Sequence, residues 1–295
     1  MFLLIEGRMK MITVIGSMNM DLVTITNREP AIGETVLGEN FLTVPGGKGA
    51  NQAVAAAKLG APVKMIGCVG DDLFGEQYIN HLKGHQIDIK HIRRLKNEKT
   101  GIASITVWNN DNKIIVVPGA NKRITPEIVE SHREEILKSS WLLLQFEIPL
   151  ESVERALEIA AEGNVNVIVN PAPYHDIPEK WLGKITYITP NEAEANQLFS
   201  AFANRENLLS KLVITKGKDG AEYFDQGERV SIPALKVDAI DTTGAGDTFT
   251  GALAVALSEG LPLKESCQFA VKAAGLSVTK LGAQAGMPSR SDLNK

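Results

Sequence analysis

Short apolar runs alternate with stretches of helical periodicity along most of this chain. Runs typical of buried strands lie at residues 12–15, 63–69, 141–146, 165–169, 185–189 and 212–215. Apolar positions spaced i, i+3, i+4 predict helices between them, at residues 50–59, 75–83, 126–138, 150–162 and 191–199, and again at 249–257. This alternation predicts an α/β fold in which helices cover both faces of a mostly parallel sheet.

Two segments break the alternation. Residues 21–44 and 100–117 are rich in β-branched side chains, show two-residue periodicity and lack a helical pattern. The polar run Asn-Asn-Asp-Asn at 109–112 is typical of a hairpin turn. These segments could build a small separate sheet or add strands to the main sheet, and the pattern alone leaves both open.

Composition narrows the classes of function. The chain has 295 residues, 44% of them hydrophobic, so it can bury a full core. A net charge of −4 without a basic cluster argues against a nucleic-acid partner. Cys68 and Cys267 form no metal or disulfide pattern, which fits a reducing, cytoplasmic location. Because no apolar stretch approaches the length of a membrane span, we expect no membrane partner.

The first ten residues, MFLLIEGRMK, stand apart from this pattern. They are too short for a signal peptide and lack its layout. The tetrapeptide Ile5-Glu6-Gly7-Arg8 is typical of an engineered protease-cleavage linker, and a natural extension is the alternative. We therefore expect one domain over residues 11–295.

The most informative motif is the glycine-rich turn Asp241-Thr242-Thr243-Gly244-Ala245-Gly246, which leads through Asp247 into an apolar helix. Free backbone N–H groups and the positive end of the helix dipole make such a turn an anion site. A carboxylate there would repel the anion unless it serves as a general base. Asp247 would take a proton from a hydroxyl while the amides of Gly244, Ala245 and Gly246 stabilise a transferring phosphoryl group. The alternative for Asp247 is a plain N-cap.

A second motif, Pro45-Gly46-Gly47-Lys48-Gly49-Ala50-Asn51-Gln52, opens another predicted helix. With this string the chain resembles the ribokinase subfamily of PfkB-type sugar kinases, and DTTGAGDTF at 241–249 matches the broader family's second signature. The similarity extends from about Met11 to Pro288. The chain carries neither a Walker A loop nor a Rossmann glycine fingerprint, so a bound nucleotide would use neither cradle.

The resemblance implies a ribokinase-like three-layer sandwich with a small β-sheet lid, whose strands come from about residues 20–44 and 99–118. It implies transfer of the γ-phosphoryl group of ATP to O5 of D-ribose, and a homodimer joined through the lids, where apolar faces would otherwise be exposed. Another sugar or nucleoside kinase, such as a deoxyribose kinase or fructokinase, is one rival, and a catalytically silent sugar-binding protein is another. The GGKGANQ string favours ribose, and the intact Asp247 turn argues against a silent protein.

Candidate sugar contacts follow predicted strands, where the loops of an open α/β sheet host ligands. Asn19 and Asp21 follow the first strand, and Glu147 follows a later one. An Asx-turn is the plainer alternative for Asn19 and Asp21, a helix first-turn charge for Glu147, and a solvated surface position for Lys48. By resemblance, the ribose contacts are Asn19, Asp21, Gly47, Lys48, Asn51, Glu147 and Asp247.

The nucleotide side is predicted from two further strand ends. Asn191 and Glu194 match the family's N-x-x-E motif, and the resemblance assigns Glu194 to Mg²⁺ through water, since oxygen ligands suit this ion. The same pair could instead form a capping box. Val271 stands where many members carry a polar residue, which suggests that adenine is bound by shape. By resemblance, the nucleotide contacts are Asn191, Thr215, Lys216, Gly217, Gly220 and Gly246.

The resemblance also implies a monovalent cation, K⁺, beside the anion site, held by Asp241, Thr243, Ser277 and Gly282. Gly286 stands where the family usually has a serine hydroxyl, so one ligand is lost or replaced by water or a carbonyl. The connection at 200–211 is shorter than in typical members, and we expect a trimmed peripheral helix there.

Overall fold

The computed structural model describes residues 11–109, 111–202 and 205–294, so the N-terminal decapeptide and Asn110 lie outside the described residues. The strands are β1 (Ile12–Ile15), β2 (Asn19–Ile25), β3 (Asn40–Gly46), β4 (Val63–Gly70), β5 (Asp88–Leu95), β6 (Gly101–Trp108), β7 (Asp111–Val117), β8 (Trp141–Gln145), β9 (Asn166–Asn170), β10 (Tyr187–Ile188), β11 (Val213–Thr215), β12 (Ala221–Asp225) and β13 (Glu228–Ile232).

The helices are α1 (Lys48–Lys58), α2 (Leu73–Gly84), α3 (Pro126–Glu130), α4 (Arg133–Leu137), α5 (Leu150–Glu162), α6 (Glu179–Leu182), α7 (Glu192–Ala201), α8 (Glu206–Leu209), α9 (Ala245–Ser258), α10 (Leu263–Ser277) and α11 (Ala283–Gly286). Short 3₁₀ turns lie at Gly119–Arg123, Gly217–Asp219 and Asp292–Asn294. No helix in the described ranges is both long and apolar enough to cross a membrane.

Six parallel strands form the central sheet, in the order β10-β9-β8-β1-β4-β5. A bridge between Ile188 and Leu212 continues it into the antiparallel strands β11, β12 and β13. Along β1, Ile12 and Val14 pack into one hydrophobic cluster with α1, α9 and α10, whereas Ile15 packs into a second cluster with α5 and α7. Helices therefore cover both faces of the sheet, and the predicted three-layer α/β fold is confirmed.

The two segments that broke the helical alternation form a separate four-stranded sheet in the order β3-β2-β6-β7. Its two hairpin pairs are antiparallel, whereas β2 and β6 run parallel. Trp108 pairs with Asp111 across the predicted hairpin turn. Of the two arrangements that the pattern left open, the structure has the separate sheet, which we call the lid.

One of the predicted helices is interrupted in the structure. The helix predicted over 126–138 is divided into α3 and α4 around Ser131 and His132. The Ser131 hydroxyl donates to the Ile128 carbonyl at 2.7 Å, and a ring nitrogen of His132 lies 2.8 Å from the same oxygen. Side-chain bonds of this kind compete with the helical ladder, which explains the interruption. In the connection at 200–211, the described part contains the end of α7 and the short helix α8.

Helices α1 and α9 approach each other closely at Gly251. A Cβ built on Gly251 would lie 2.7 Å from the backbone oxygen of Gln52 and 2.9 Å from the Cβ of Ala55. The approach places the first turn of α1, with Asn51 and Gln52, beside the first turn of α9.

We therefore expect Gly251→Ala to lower the free energy of unfolding by about 1–3 kcal/mol through overpacking. This loss should appear even though alanine is the better helix former by about 1 kcal/mol. The control is Gly84→Ala at the end of α2, where nothing lies within 4 Å of the new Cβ. Urea unfolding should show the control unchanged or slightly stabilised, and an equal loss in both variants would contradict the packing argument.

Candidate active site

Three carboxylates predicted for the sugar site interact where α1 and α9 begin. Asp21 lies in β2, Glu147 follows β8, and Asp247 lies in the first turn of α9. Burial raises the pKa of Asp21 to about 7, and repulsion from Glu147 and Asp247 adds to the effect. Near neutral pH such a carboxyl group exists in both forms, so it can donate or accept a hydrogen bond.

Lys48 supplies the opposing charge. Burial acts to lower the pKa of Lys48, but Asp247, Glu147 and Glu194 outweigh this effect and the pKa lies above its ordinary value. Its backbone amide donates to Glu147 Oε2 at 2.9 Å, and the Ser17 hydroxyl donates to the same oxygen. A charged Lys48 therefore lies among carboxylates at the start of α1.

Asp247 is buried, with 7% of its surface exposed, yet both of its oxygens accept hydrogen bonds. Asn51 Nδ2 donates to Oδ2 at 2.9 Å, and Gln52 Nε2 donates to Oδ1 at 3.1 Å. These bonds and the helix N-terminus offset the lost hydration of the carboxylate. The N-cap residue of α9 is Gly244, so the plain N-cap alternative for Asp247 is wrong.

The glycine turn has the shape expected of an anion site. Gly244 has a φ of 75°, which favours glycine, and a Cβ there would lie 2.8 Å from the Cβ of Ala283. The Ala245 amide donates to the Thr242 carbonyl at 3.2 Å, so it is less available than predicted. Within the described ranges, the amides of Gly244 and Gly246 have no hydrogen-bond partner.

The turn borders a cavity of about 690 Å³. Its lining brings together ten of the predicted residues: Lys48, Asn191, Glu194, Thr215, Lys216, Gly217, Gly244, Ala245, Gly246 and Asp247. The sugar-side residues Asn19, Asp21, Gly47, Asn51 and Glu147 do not line this cavity. The predicted phosphate and sugar sides therefore adjoin at Lys48 and Asp247.

Asn19 lies at the root of the lid. Its Oδ1 accepts from Asn121 Nδ2 at 2.8 Å, and Asn121 also bonds the amide and the carbonyl of Met18, at 2.9 and 3.1 Å. A Cβ at Gly47 would lie 2.7 Å from the backbone nitrogen of Asn19, so the glycine motif packs directly against the start of β2. One acceptor position of Asn19 is thus already used within the protein.

Asn191 and Glu194 form the capping box that the sequence offered as an alternative to a metal site. Asn191 Oδ1 accepts from the Glu194 amide at 2.9 Å, and Glu194 Oε2 accepts from the Asn191 amide at 2.8 Å. Burial raises the pKa of Glu194; the bond from Asn191 and the charge of Lys48 oppose this, and Asp247 adds to it. The described residues contain no cluster of three or more His, Cys, Asp or Glu that could hold a metal ion.

A second, smaller cavity of about 220 Å³ adjoins the first at Thr215, Gly217 and Gly246. Its further lining is mainly apolar and includes Gly220, Ala234, Leu235, Val237, Phe249, Val271, Ala274 and Val278. Val271, which was predicted to face adenine, is part of this lining. Lys216 Nζ lies 3.1 Å from Glu222 and 3.5 Å from Glu192, so its charge is already paired.

Hydrogen bonds join three of the four predicted K⁺ ligands, Asp241, Thr243 and Gly282. The amides of Thr243 and Gly282 donate to the two oxygens of Asp241 at 2.9 and 2.8 Å. Burial acts to raise the pKa of Asp241, but these bonds outweigh it and the pKa lies below its ordinary value. The Ser277 hydroxyl donates to the Ala274 carbonyl at 2.8 Å, so this side chain bonds back into its own helix.

The glycine at position 286 has a packing reason. A Cβ there would lie 2.2 Å from the backbone oxygen of Ser277 and 3.4 Å from that of Lys280. A serine at this position would displace the end of α10. Replacing Gly286 by serine would therefore not simply supply the hydroxyl that the family usually has here.

Several polar residues at the site were not singled out from the sequence. Gln52, Gln284 and Asn121 are buried and bonded to predicted residues or their neighbours, and Ser17 bonds Glu147. Gln52 was discoverable, because it stands inside the second motif directly before the apolar run at 53–57. Asn121 and Ser17 carry no such signal.

The chain is similar to known carbohydrate kinases. The pfkB family of carbohydrate kinases matches residues 9–290. A ribokinase of Bacillus subtilis is 45% identical, with 97% of this chain and 99% of the relative covered. A deoxyribokinase of Salmonella typhimurium is 35% identical, with 96% and 97% covered. The structure of Arabidopsis thaliana ribokinase complexed with ribose and ATP matches with a TM-score of 0.87 at 32% identity, with 96% and 97% covered. The chain therefore belongs to the pfkB family of carbohydrate kinases.

Proposed function

We propose that this protein transfers the γ-phosphoryl group of ATP to O5 of D-ribose and gives ribose 5-phosphate and ADP. The observation that carries the proposal is the pairing of Asp247, a buried carboxylate, with the free amides of Gly244 and Gly246 in one turn. The ribokinases among its relatives support ribose as the acceptor.

In this reaction Asp247 accepts the proton of the O5 hydroxyl. O5 forms a bond to the γ-phosphorus as the bond from that phosphorus to the bridging oxygen of ADP breaks. The amides of Gly244 and Gly246 and the dipole of α9 stabilise the charge on the transferred group, with the Ala245 amide contributing less. Because the protein itself does little covalent chemistry in this reaction, much of the rate enhancement comes from positioning the reacting groups.

Ribose would lie between the lid and the start of α1. Asp21, Lys48 and Glu147 would bind its hydroxyls, with Asn19 and Asn51 beside them and Gly47 allowing close approach. A pocket of this polarity rejects analogues that lack a hydroxyl, because its own buried groups would be left unpaired. This supports a polar sugar as the acceptor.

ATP would extend across the two adjoining cavities. The apolar cavity lined by Val271 suits adenine, and the larger one suits the phosphates. Asn191, Thr215, Gly217, Gly220 and Gly246 are the proposed nucleotide contacts. Lys216 is also a proposed nucleotide contact, although its ammonium group would have to leave Glu222 to bind a phosphate.

Relatives that use ATP imply a divalent metal, and we propose Mg²⁺ for this chain. The donor set fits: Glu194 is a part-buried carboxylate at the wall of the phosphate cavity, next to the Asn191 amide group. Held there through water, Mg²⁺ supplies charge compensation for the ATP phosphates. Asn191 and Glu194 would serve this role while keeping the capping box.

We also propose that K⁺ binds beside the anion turn. A carboxylate offers about four lone-pair positions, and Asp241 uses two of them on the amides of Thr243 and Gly282. The remaining positions, with carbonyls near Thr243, Ser277 and Gly282, would hold the ion. Its charge would offset that of Asp241 beside a turn that must attract phosphate.

Two further proposals concern assembly and location. Ile115, Val117 and Phe41 on the lid are 68%, 49% and 58% exposed, and a homodimer through the lids would cover them. A monomeric mass in light scattering would contradict it.

Buried, unpaired Cys68 and Cys267 fit a cytoplasmic location, which fluorescent tagging would test.

A deoxyribose kinase is the second candidate, since such an enzyme is among the relatives. A coupled assay of ADP release with ribose, 2-deoxyribose and fructose separates the candidates. The highest kcat/KM for ribose is the expected result. Saturable ribose binding without turnover of any sugar would instead indicate a silent binding protein.

The first functional prediction concerns the base. Asp247→Asn should lower kcat by about 10²–10⁴-fold, because the proton acceptor is lost. Ribose affinity measured by calorimetry should stay close to that of the parent, since the amide has nearly the same shape. Turnover within a few-fold of the parent would refute the assignment.

The second concerns the metal. Glu194→Gln should raise the Mg²⁺ concentration needed for half-maximal activity and leave the ribose dissociation constant unchanged. Glutamine can still accept the capping bond, so the thermal midpoint should move little. If the midpoint falls and the Mg²⁺ titration stays in place, Glu194 serves only as a helix cap.

The third concerns the monovalent ion. Activity should be higher in K⁺ than in Na⁺ at matched ionic strength, because fixed carbonyls suit the larger and less tightly hydrated ion. Asp241→Asn should reduce the difference. Equal rates in K⁺, Na⁺ and a bulky organic cation would show that no activating site exists.

A further inference from the structure

We propose that Gln52 and Gln284 are positioning residues that orient Asp247 through two chains of buried amide side chains. The inference rests on the proposed function, in which Asp247 is the general base. Gln52 is fully buried, and Gln284 is 4% exposed. Both lie outside the set of residues proposed to touch ribose or ATP.

The first chain reaches Asp247 through Asn51. An ionised carboxylate only accepts hydrogen bonds, so Asn51 must present its NH₂ group to Asp247 and turn its carbonyl away. That carbonyl oxygen accepts from Gln284 Nε2 at 2.8 Å. The Gln284 carbonyl oxygen then faces His81 Nε2 at 2.6 Å, so this ring nitrogen must be the donor. The direction of every bond in the chain follows from the charge of Asp247.

The second chain reaches Asp247 through Gln52. Its NH₂ group donates to Asp247 Oδ1 at 3.1 Å and to Asn170 Oδ1 at 3.3 Å. Its carbonyl oxygen accepts from Gln145 Nε2 at 2.6 Å. Among the residues that the structure describes, none donates to Gln145 Oε1, which is buried and faces Gly16, where a Cβ would lie 2.0 Å away.

The unpaired oxygen of Gln145 is informative. A buried acceptor without a donor costs stability. Turning the Gln145 amide over would place two carbonyl oxygens against each other at the Gln52 contact, and turning Gln52 as well would place an oxygen against Asp247. The orientation of both amides therefore keeps the NH₂ group of Gln52 directed at Asp247.

Both chains together fix the plane of the base. Asn51 and Gln52 are adjacent in α1 and bond different oxygens of Asp247, so rotation of the carboxylate would break at least one bond. A 1 Å misplacement of a reacting group can cost about 10²-fold in rate. Gln284 also lies two residues after Gly282, whose amide bonds Asp241, so one short segment bonds both the start of the anion turn and Asn51, the residue that bonds the base.

The test is a double-mutant cycle between Gln284→Met and Asp247→Asn. Methionine keeps the approximate volume and cannot donate to Asn51. With Asp247 present, Gln284→Met should lower kcat by about 10- to 100-fold while the ribose dissociation constant changes by less than about twofold. In the Asp247→Asn background the further loss should be below about twofold, because the group that Gln284 positions is gone.

The matched control is Thr13→Val near the start of β1, which removes a buried side-chain bond of 2.5 Å to Ser139. It should lower thermal stability without lowering kcat. If Gln284→Met unfolds at assay temperature, Gln52→Met takes its place with the same expected results.

The outcomes separate the two levels of the argument. An equal loss of kcat in both backgrounds, or a loss confined to ribose affinity, would overturn the positioning role. Full turnover in Asp247→Asn alone would instead overturn the proposed base, whatever Gln284→Met does. A large loss in Asp247→Asn with normal kcat in Gln284→Met and Gln52→Met would refute the chains and leave the base assignment standing.

Discussion

Gly251 lets α9 approach α1 so closely that a Cβ there would lie 2.7 Å from the Gln52 carbonyl. This contact brings two helix N-termini from distant parts of the sequence to one point. It is the reason that Asn51 and Gln52 can bond a carboxylate nearly two hundred positions away, and that the glycine turn faces Lys48 across the larger cavity. The bonds that Asn51 and Gln52 make to Asp247 depend on the spacing of this helix pair.

Much of the fold could be predicted because the spacing of apolar residues and the types of residue change together between strands and helices along the chain. Apolar runs such as Ile12–Ile15 belong to strands buried on both faces, and they carry the same signal wherever they occur. The break between α3 and α4 could not be predicted, since it follows from the Ser131 and His132 side-chain bonds rather than from apolar spacing. The choice between a separate sheet and extra strands was likewise a matter of tertiary pairing.

Site residues could be predicted where they stand in a motif. They could not be predicted where their role is to hydrogen-bond a neighbouring site residue. Asp247 and Lys48 could be identified because each stands in a glycine-rich motif. Gln284 and Asn121 did not, because a neutral amide has no distinctive spacing and its partners come from remote segments. Ser277 was predicted as a cation ligand, and its hydroxyl bonds its own helix, since a hydroxyl near a helix end finds a local carbonyl first.

Asp21 belongs to the lid, whereas Glu147 and Asp247 belong to the body of the protein. With a folded-state pKa of about 7, Asp21 keeps a proton that the unfolded chain gives up at its ordinary pKa of 3.8. Between these values the unfolded state releases the proton first, so this residue's contribution to stability falls as pH rises and is lost above about 7. Like charges then face each other across the seam between lid and body. The repulsion between lid and body is therefore weak in mild acid, where Asp21 is protonated, and stronger in alkali, where it is ionised. A hydroxyl-rich ligand can reduce this repulsion by donating hydrogen bonds to the carboxylates on both sides.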